Sequence, residues 1–126
     1  MVDVPKQIEY WRTGSDEDFA AAESLLEKGH LRHSLFFCHL AIEKMLKAHV
    51  ARQTKDIPPR IHNLIRLAEI AKLKLEPEGK EFLREFSLYQ LEGRYPDFEQ
   101  VSIDVSLAQN EISRTREMLT WLKTRL

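Results

Sequence analysis

The feature that most restricts this chain is the run from His33 to Val50. It contains neither glycine nor proline and is apolar on nearly every side. Leu31, Leu35, Cys38, Ile42, Met45 and Leu46 recur at helical spacing, and Phe36, Phe37, Leu40 and Ala41 widen the stripe almost all the way round. A helix of that kind is central in a bundle rather than on its surface. The spacing predicts a helix over 31–53, and Thr54 to Pro59 closes it, because Pro58 and Pro59 cannot continue a helix.

The remaining segments supply helices to pack around it. Residues 7–28 carry Tyr10, Trp11, Phe19, Ala22, Leu25 and Leu26 at three- and four-residue steps. Gly14 interrupts them, and Ser15-Asp16-Glu17-Asp18 resembles a capping box at which a helix could restart. The stripe on both sides favours one continuous helix, with Gly14 tolerated at about 1 kcal/mol. Lys28-Gly29 is its stop signal.

A third helix is predicted over 61–73, with Ile61, Leu64, Ile65, Leu67, Ala68 and Ala71 inward. A fourth runs over 78–90, with Phe82, Leu83, Phe86, Leu88 and Tyr89 inward. Leu91 to Phe98 reads as a loop broken by Gly93 and Pro96, with Tyr95 pushed toward extended geometry by the proline. Ser102 or Asp104 caps a fifth helix over 103–125, whose stripe is Val105, Leu107, Ala108, Ile112, Thr115, Leu119 and Leu122. No segment alternates with period two. The expected fold is all-α, one domain over residues 1–126, a five-helix up-and-down bundle.

Composition narrows the function. Nineteen Lys and Arg face twenty Asp and Glu, a balance without bulk attraction for nucleic acid or anionic lipid. Cys38 is the one cysteine, so there is no internal disulfide and no cysteine-based metal site. The start, Met1 to Lys6, lacks the apolar core of a signal peptide, and no window approaches a membrane span. A cytoplasmic location without membrane contact is expected.

Three polar constellations stand out. His39, Glu43 and Lys47 follow one another at four-residue steps and share a face of the central helix. They form either a polar track toward a ligand or an ordinary Glu–Lys pair beside a histidine bonded to a carbonyl. Arg60 and His62 begin the third helix, where free N–H groups can receive an anion, or else pack near the Pro58-Pro59 turn. Arg94, Tyr95 and Asp97 crowd one loop: the arginine suits phosphate and the tyrosine offers a stacking face, or the set is an Arg–Asp surface pair. A di-metal carboxylate site is excluded, because the one Glu-x-x-His, Glu27 to His30, spans a helix end. Cys38 sits mid-helix among apolar residues and reads as inert. Neither a glycine-rich phosphate loop nor a Gly-x-Ser-x-Gly elbow is present. No catalytic residue, metal or cofactor is expected.

Taken in order, Leu35 to Ala48, Pro59 to Leu64 and Glu92 to Asp97 resemble the HEPN domain, the higher-eukaryote and prokaryote nucleotide-binding domain, over nearly the whole chain. The family is also similar to the helical domain of the kanamycin nucleotidyltransferase. The resemblance implies a homodimeric helical bundle, a minimal nucleotidyltransferase as partner, and His39, Glu43, His62 and the Arg94-Tyr95-Pro96-Asp97 segment as shared polar positions. Many family members are ribonucleases with an arginine followed after four to six residues by a histidine late in the bundle. No histidine follows Arg94, and Arg32 with His39 lies in the central helix instead. The expectation is therefore a non-catalytic domain that binds a nucleotide or a nucleotidyltransferase, part of a toxin–antitoxin or resistance pair. The ligand residues expected are His39, Glu43, Arg60, His62, Arg94, Tyr95 and Asp97. The alternative is a metal-independent ribonuclease using Arg32 with His39, or Arg94 with His39 or His62.

Overall fold

A computed structural model describes the backbone of residues 1–94 and 103–126, and side chains outside 90–102. Five helices follow in chain order: α1 Val4–Glu27, α2 Leu31–Thr54, α3 Leu64–Ile70, α4 Pro77–Arg94 and α5 Val105–Thr124. The fold is all-helical, with no strand among the described residues.

The central place of α2 is visible in its burial. Every residue from Met45 to Ala51 is buried, so no face of that stretch meets water. α1, α3, α4 and α5 all pack on α2, and its largest interface is with α1. Cys38, Ile42, Met45 and Leu46 meet Leu64 and Leu67 of α3, Leu83 and Phe86 of α4, and Ile112 and Leu122 of α5 in one core. Burial pushes the Cys38 thiol up to about 12, which keeps it protonated and unreactive.

The α1–α2 seam is built from small and polar groups. α1 is continuous through Gly14. A Cβ there would stand 3.1 Å from Cδ of Lys44, whose ammonium reaches Asp18 at 2.8 Å. Gly14 therefore makes room for the Lys44 stem. Ser15, fully buried, donates to the Ala41 carbonyl at 2.6 Å, and Ser34 donates to that of Ala22 at 2.8 Å. Tyr10, read from its spacing as inward, is 66 % exposed, because the close approach at Gly14 and Ser15 turns a neighbouring face of α1 toward α2.

Caps set the helix ends. Asp3 accepts from the Lys6 N–H and Asp104 from the Leu107 N–H, each holding an otherwise free first-turn donor. Gly29 takes φ 79° after α1, as the Lys28-Gly29 signal predicts. α1 starts earlier than expected, at Val4 rather than 7, and two further differences bear on the site. α3 is shorter than 61–73: Asn63 caps it by accepting from the Arg66 N–H at 3.0 Å, so Arg60 and His62 precede the helix and do not begin it. α4 runs through Gly93 to Arg94 rather than ending at 90, one glycine being too small a penalty to stop it. Leu88 and Val105, expected inside, are exposed.

Candidate functional site

The chemistry gathers around the middle of α2. Steps of four residues stack His39, Glu43 and Lys47 on one face, and the segment before α3 brings His62 onto the same carboxylate. Glu43 is 4 % exposed. Lys47 donates to its Oε2 at 3.1 Å, and His62 Nδ1 lies 3.2 Å from both carboxylate oxygens. His39 Nε2 is 3.3 Å from Oε1, a close contact that does not have hydrogen-bond geometry. Burial works to raise the Glu43 pKa. The His39 contact, Lys47 and His62 together outweigh it and hold the carboxyl down at about 2. Glu43 is thus a buried anion fixed by three basic groups.

The three partners are not equivalent. His39 is fully buried, and its Nδ1–H donates to the Phe86 carbonyl of α4 at 3.1 Å. The ring cannot touch a solvent-borne ligand in this arrangement. His62 has 46 % of its side chain exposed and is the network's outlet to solvent. Lys47 is 6 % exposed and lies 5.2 Å from the centre of the Trp11 ring, within cation–π range.

Lys47 also opens onto a cleft of about 330 Å³ whose walls include Tyr10, Trp11, Pro58 and Arg60. Tyr10 and Trp11 meet edge to face at 4.9 Å, and Trp11 Nε1–H donates to Gln7 at 3.2 Å. Arg60 is exposed on the rim, with no carboxylate within ion-pair distance among the described residues. The cleft thus combines two cations with an aromatic ledge. Tyr10, Trp11 and Gln7 were missed as site residues. Trp11 beside an arginine and a threonine on an amphipathic helix gives no signal of its own, since only the fold brings it to Lys47.

Of the residues expected to form the site, His39, Glu43 and His62 come together, and Arg60 lies on the adjoining cleft. The Arg94 side chain, Tyr95 and Asp97 lie outside the described residues. No group of three His, Cys, Asp or Glu among the described residues is placed to hold a metal ion. No described helix is long and apolar enough to cross a membrane.

The model of the HEPN domain family matches residues 8–125. The chain belongs to the HEPN domain family. Two solved structures share the fold. TT1696 from Thermus thermophilus superposes with a TM-score of 0.80 at 17% identity, covering 95% of this chain and 98% of that one. ST0689, described as an archaeal HEPN homologue, gives 0.67 at 20% identity, covering 94% and 96%. No curated protein matches. At these identities the two structures speak for the fold of this HEPN domain, and its site is read from its own residues.

Proposed function

We propose that this HEPN domain is a non-catalytic nucleotide-binding module whose ligand occupies the Trp11–Lys47–Arg60 cleft. The observation that carries the reading is the pairing of Lys47 and Arg60 with the Tyr10–Trp11 ledge in one concavity. Arginine and lysine suit phosphate oxygens, and an aromatic ledge suits a base. A volume of about 330 Å³ is at the small end of ligand pockets and suits a mononucleotide. Glu43 holds Lys47, one wall of the cleft, and binds His62 on the same carboxylate. Homodimer formation and pairing with a minimal nucleotidyltransferase belong to the same reading, as the resemblance implies.

Calorimetric titration with AMP, ADP and ATP tests it. Wild type releases or takes up heat with at least one of them. Arg60→Ala, an exposed position that leaves the core intact, weakens binding by about tenfold or more. Arg94→Ala in parallel separates this cleft from the 94–97 segment. The absence of heat with any nucleotide sinks the reading.

A further inference from the structure

A second concavity, sharing no lining residue with the nucleotide cleft, is not used by the nucleotide reading. α4 and α5 each pack on α2 but, among the described residues, scarcely meet backbone to backbone. Side chains bridge them at one end: Tyr89 donates to Glu111 at 2.9 Å, and Arg114 reaches Glu85 and Glu111 at 2.8 Å each. Toward the start of α4 the helices leave a groove of about 330 Å³ floored by Leu75, Gly79, Phe82, Met118 and Trp121. Gly79 keeps it open, since a Cβ there would meet Leu75 and Met118 at ordinary contact distances of 3.6 to 3.7 Å and a longer side chain would enter the groove.

The rim of this apolar floor is acidic. Glu76, Glu78 and Glu117 line it, and none has an ion-pair partner among the described residues. Arg114, also at the groove, is already matched by two carboxylates. Arg125 stacks on Trp121 at 3.9 Å. Three free carboxylates around an apolar trough repel nucleic acid and anionic lipid. A second copy offers poor anchors: Tyr10 and Ile57 line a concave cleft, and Leu88 and Val105 stand on different helices.

We propose that this groove docks a basic amphipathic segment of a partner protein, its apolar side chains on the half-buried Leu75, Met118 and Trp121 and its lysines or arginines against Glu76, Glu78 and Glu117. The proposal is independent of the nucleotide cleft.

The test uses fluorescence anisotropy with a labelled peptide of about 18 residues, long enough to hold a helix, carrying Leu on one face and Lys on its flanks. Two controls replace Leu by Ser at equal charge and Lys by Glu. Wild type binds the Leu/Lys peptide alone, and binding weakens as salt rises. Gly79→Leu and the double variant Glu76→Lys, Glu117→Lys each lose at least about tenfold in affinity, and Arg60→Ala leaves it unchanged. Circular dichroism checks each variant, and if Gly79→Leu does not fold the charge-reversed protein decides. No binding of the Leu/Lys peptide, equal binding of the Ser control, or unchanged binding in the charge-reversed protein overturns the proposal. So does a dimer in sedimentation that Gly79→Leu dissolves, since the groove would then belong to a second copy.

Discussion

Two histidines of α2, His39 in its middle and His49 nearer its C-terminus, are put to different uses. His39 and His49 are both buried, and each bonds a backbone carbonyl of another helix: Phe86 of α4 at 3.1 Å, Leu122 of α5 at 2.8 Å. At His49 the arrangement stops there. Burial lowers the His49 pKa, the carbonyl bond opposes this, and Arg52 adds to the lowering. That histidine is a neutral staple. At His39 the other ring nitrogen faces Glu43, which in turn holds Lys47 and His62 and leads to the cleft. The difference lies in one carboxylate: with it a staple becomes one corner of a charged network with an opening to solvent.

Removing that carboxylate has the largest expected effect. Glu43→Gln leaves Lys47 buried without its counter-charge and costs about 3–5 kcal/mol in denaturant unfolding at neutral pH. A loss below about 1 kcal/mol would make the two histidines alike. Acid titration reads the same group separately. The folded carboxyl titrates at about 2 against an ordinary 4.5, so its contribution is complete above 4.5 and is lost as pH falls from there toward 2. That swing is on the order of 3 kcal/mol, and Glu43→Gln abolishes it.

His49 responds less, and at higher pH. His49→Gln gives up the carbonyl bond and some packing, costing about 1–2 kcal/mol. Because the folded His49 pKa is lowered from 6.5, its contribution is complete above 6.5 and declines as pH falls below it. Unfolding curves of the variant between neutral and mildly acid pH flatten accordingly. The smallest effect belongs to His62→Ala. Half-exposed and screened by water, that contact contributes about 0.5 kcal/mol to stability, while nucleotide titration of the same variant shows a larger loss in affinity.

Much of this was legible in the residue order. The apolar girth of α2 announces a central helix because no other arrangement hides it. The stop at Lys28-Gly29 and the cap at Asp104 follow from local backbone needs. Failures occur where a partner helix overrides a local pattern. Gly14 looks like a tolerated flaw until Lys44 is seen lying across it, and Ser15 looks like the start of a capping box until Ala41 supplies its acceptor. Tyr10, Leu88 and Val105 fit an apolar stripe but fall just beyond the contact face. At the site, spacing put His39, Glu43 and Lys47 on one face, since that is a property of one helix. It could not bring Trp11 to Lys47, or place His62 on Glu43, since those meetings depend on how separate segments dock.

The α1–α2 seam has a further consequence, for how the chain reaches its fold. Three residues, Lys28, Gly29 and His30, join the two longest helices, which share the largest interface in the molecule. Contacts so near in sequence close small loops, and local topology speeds folding. The hairpin should therefore assemble first, with α3, α4 and α5 condensing on the face of α2 that it leaves open. Pulse-labelled hydrogen exchange during refolding would find amides around Ser15 and Ala41 protected before those of α5. The steric fit between Gly14 and Lys44 would then act as an early checkpoint on helix register, well before any ligand surface exists.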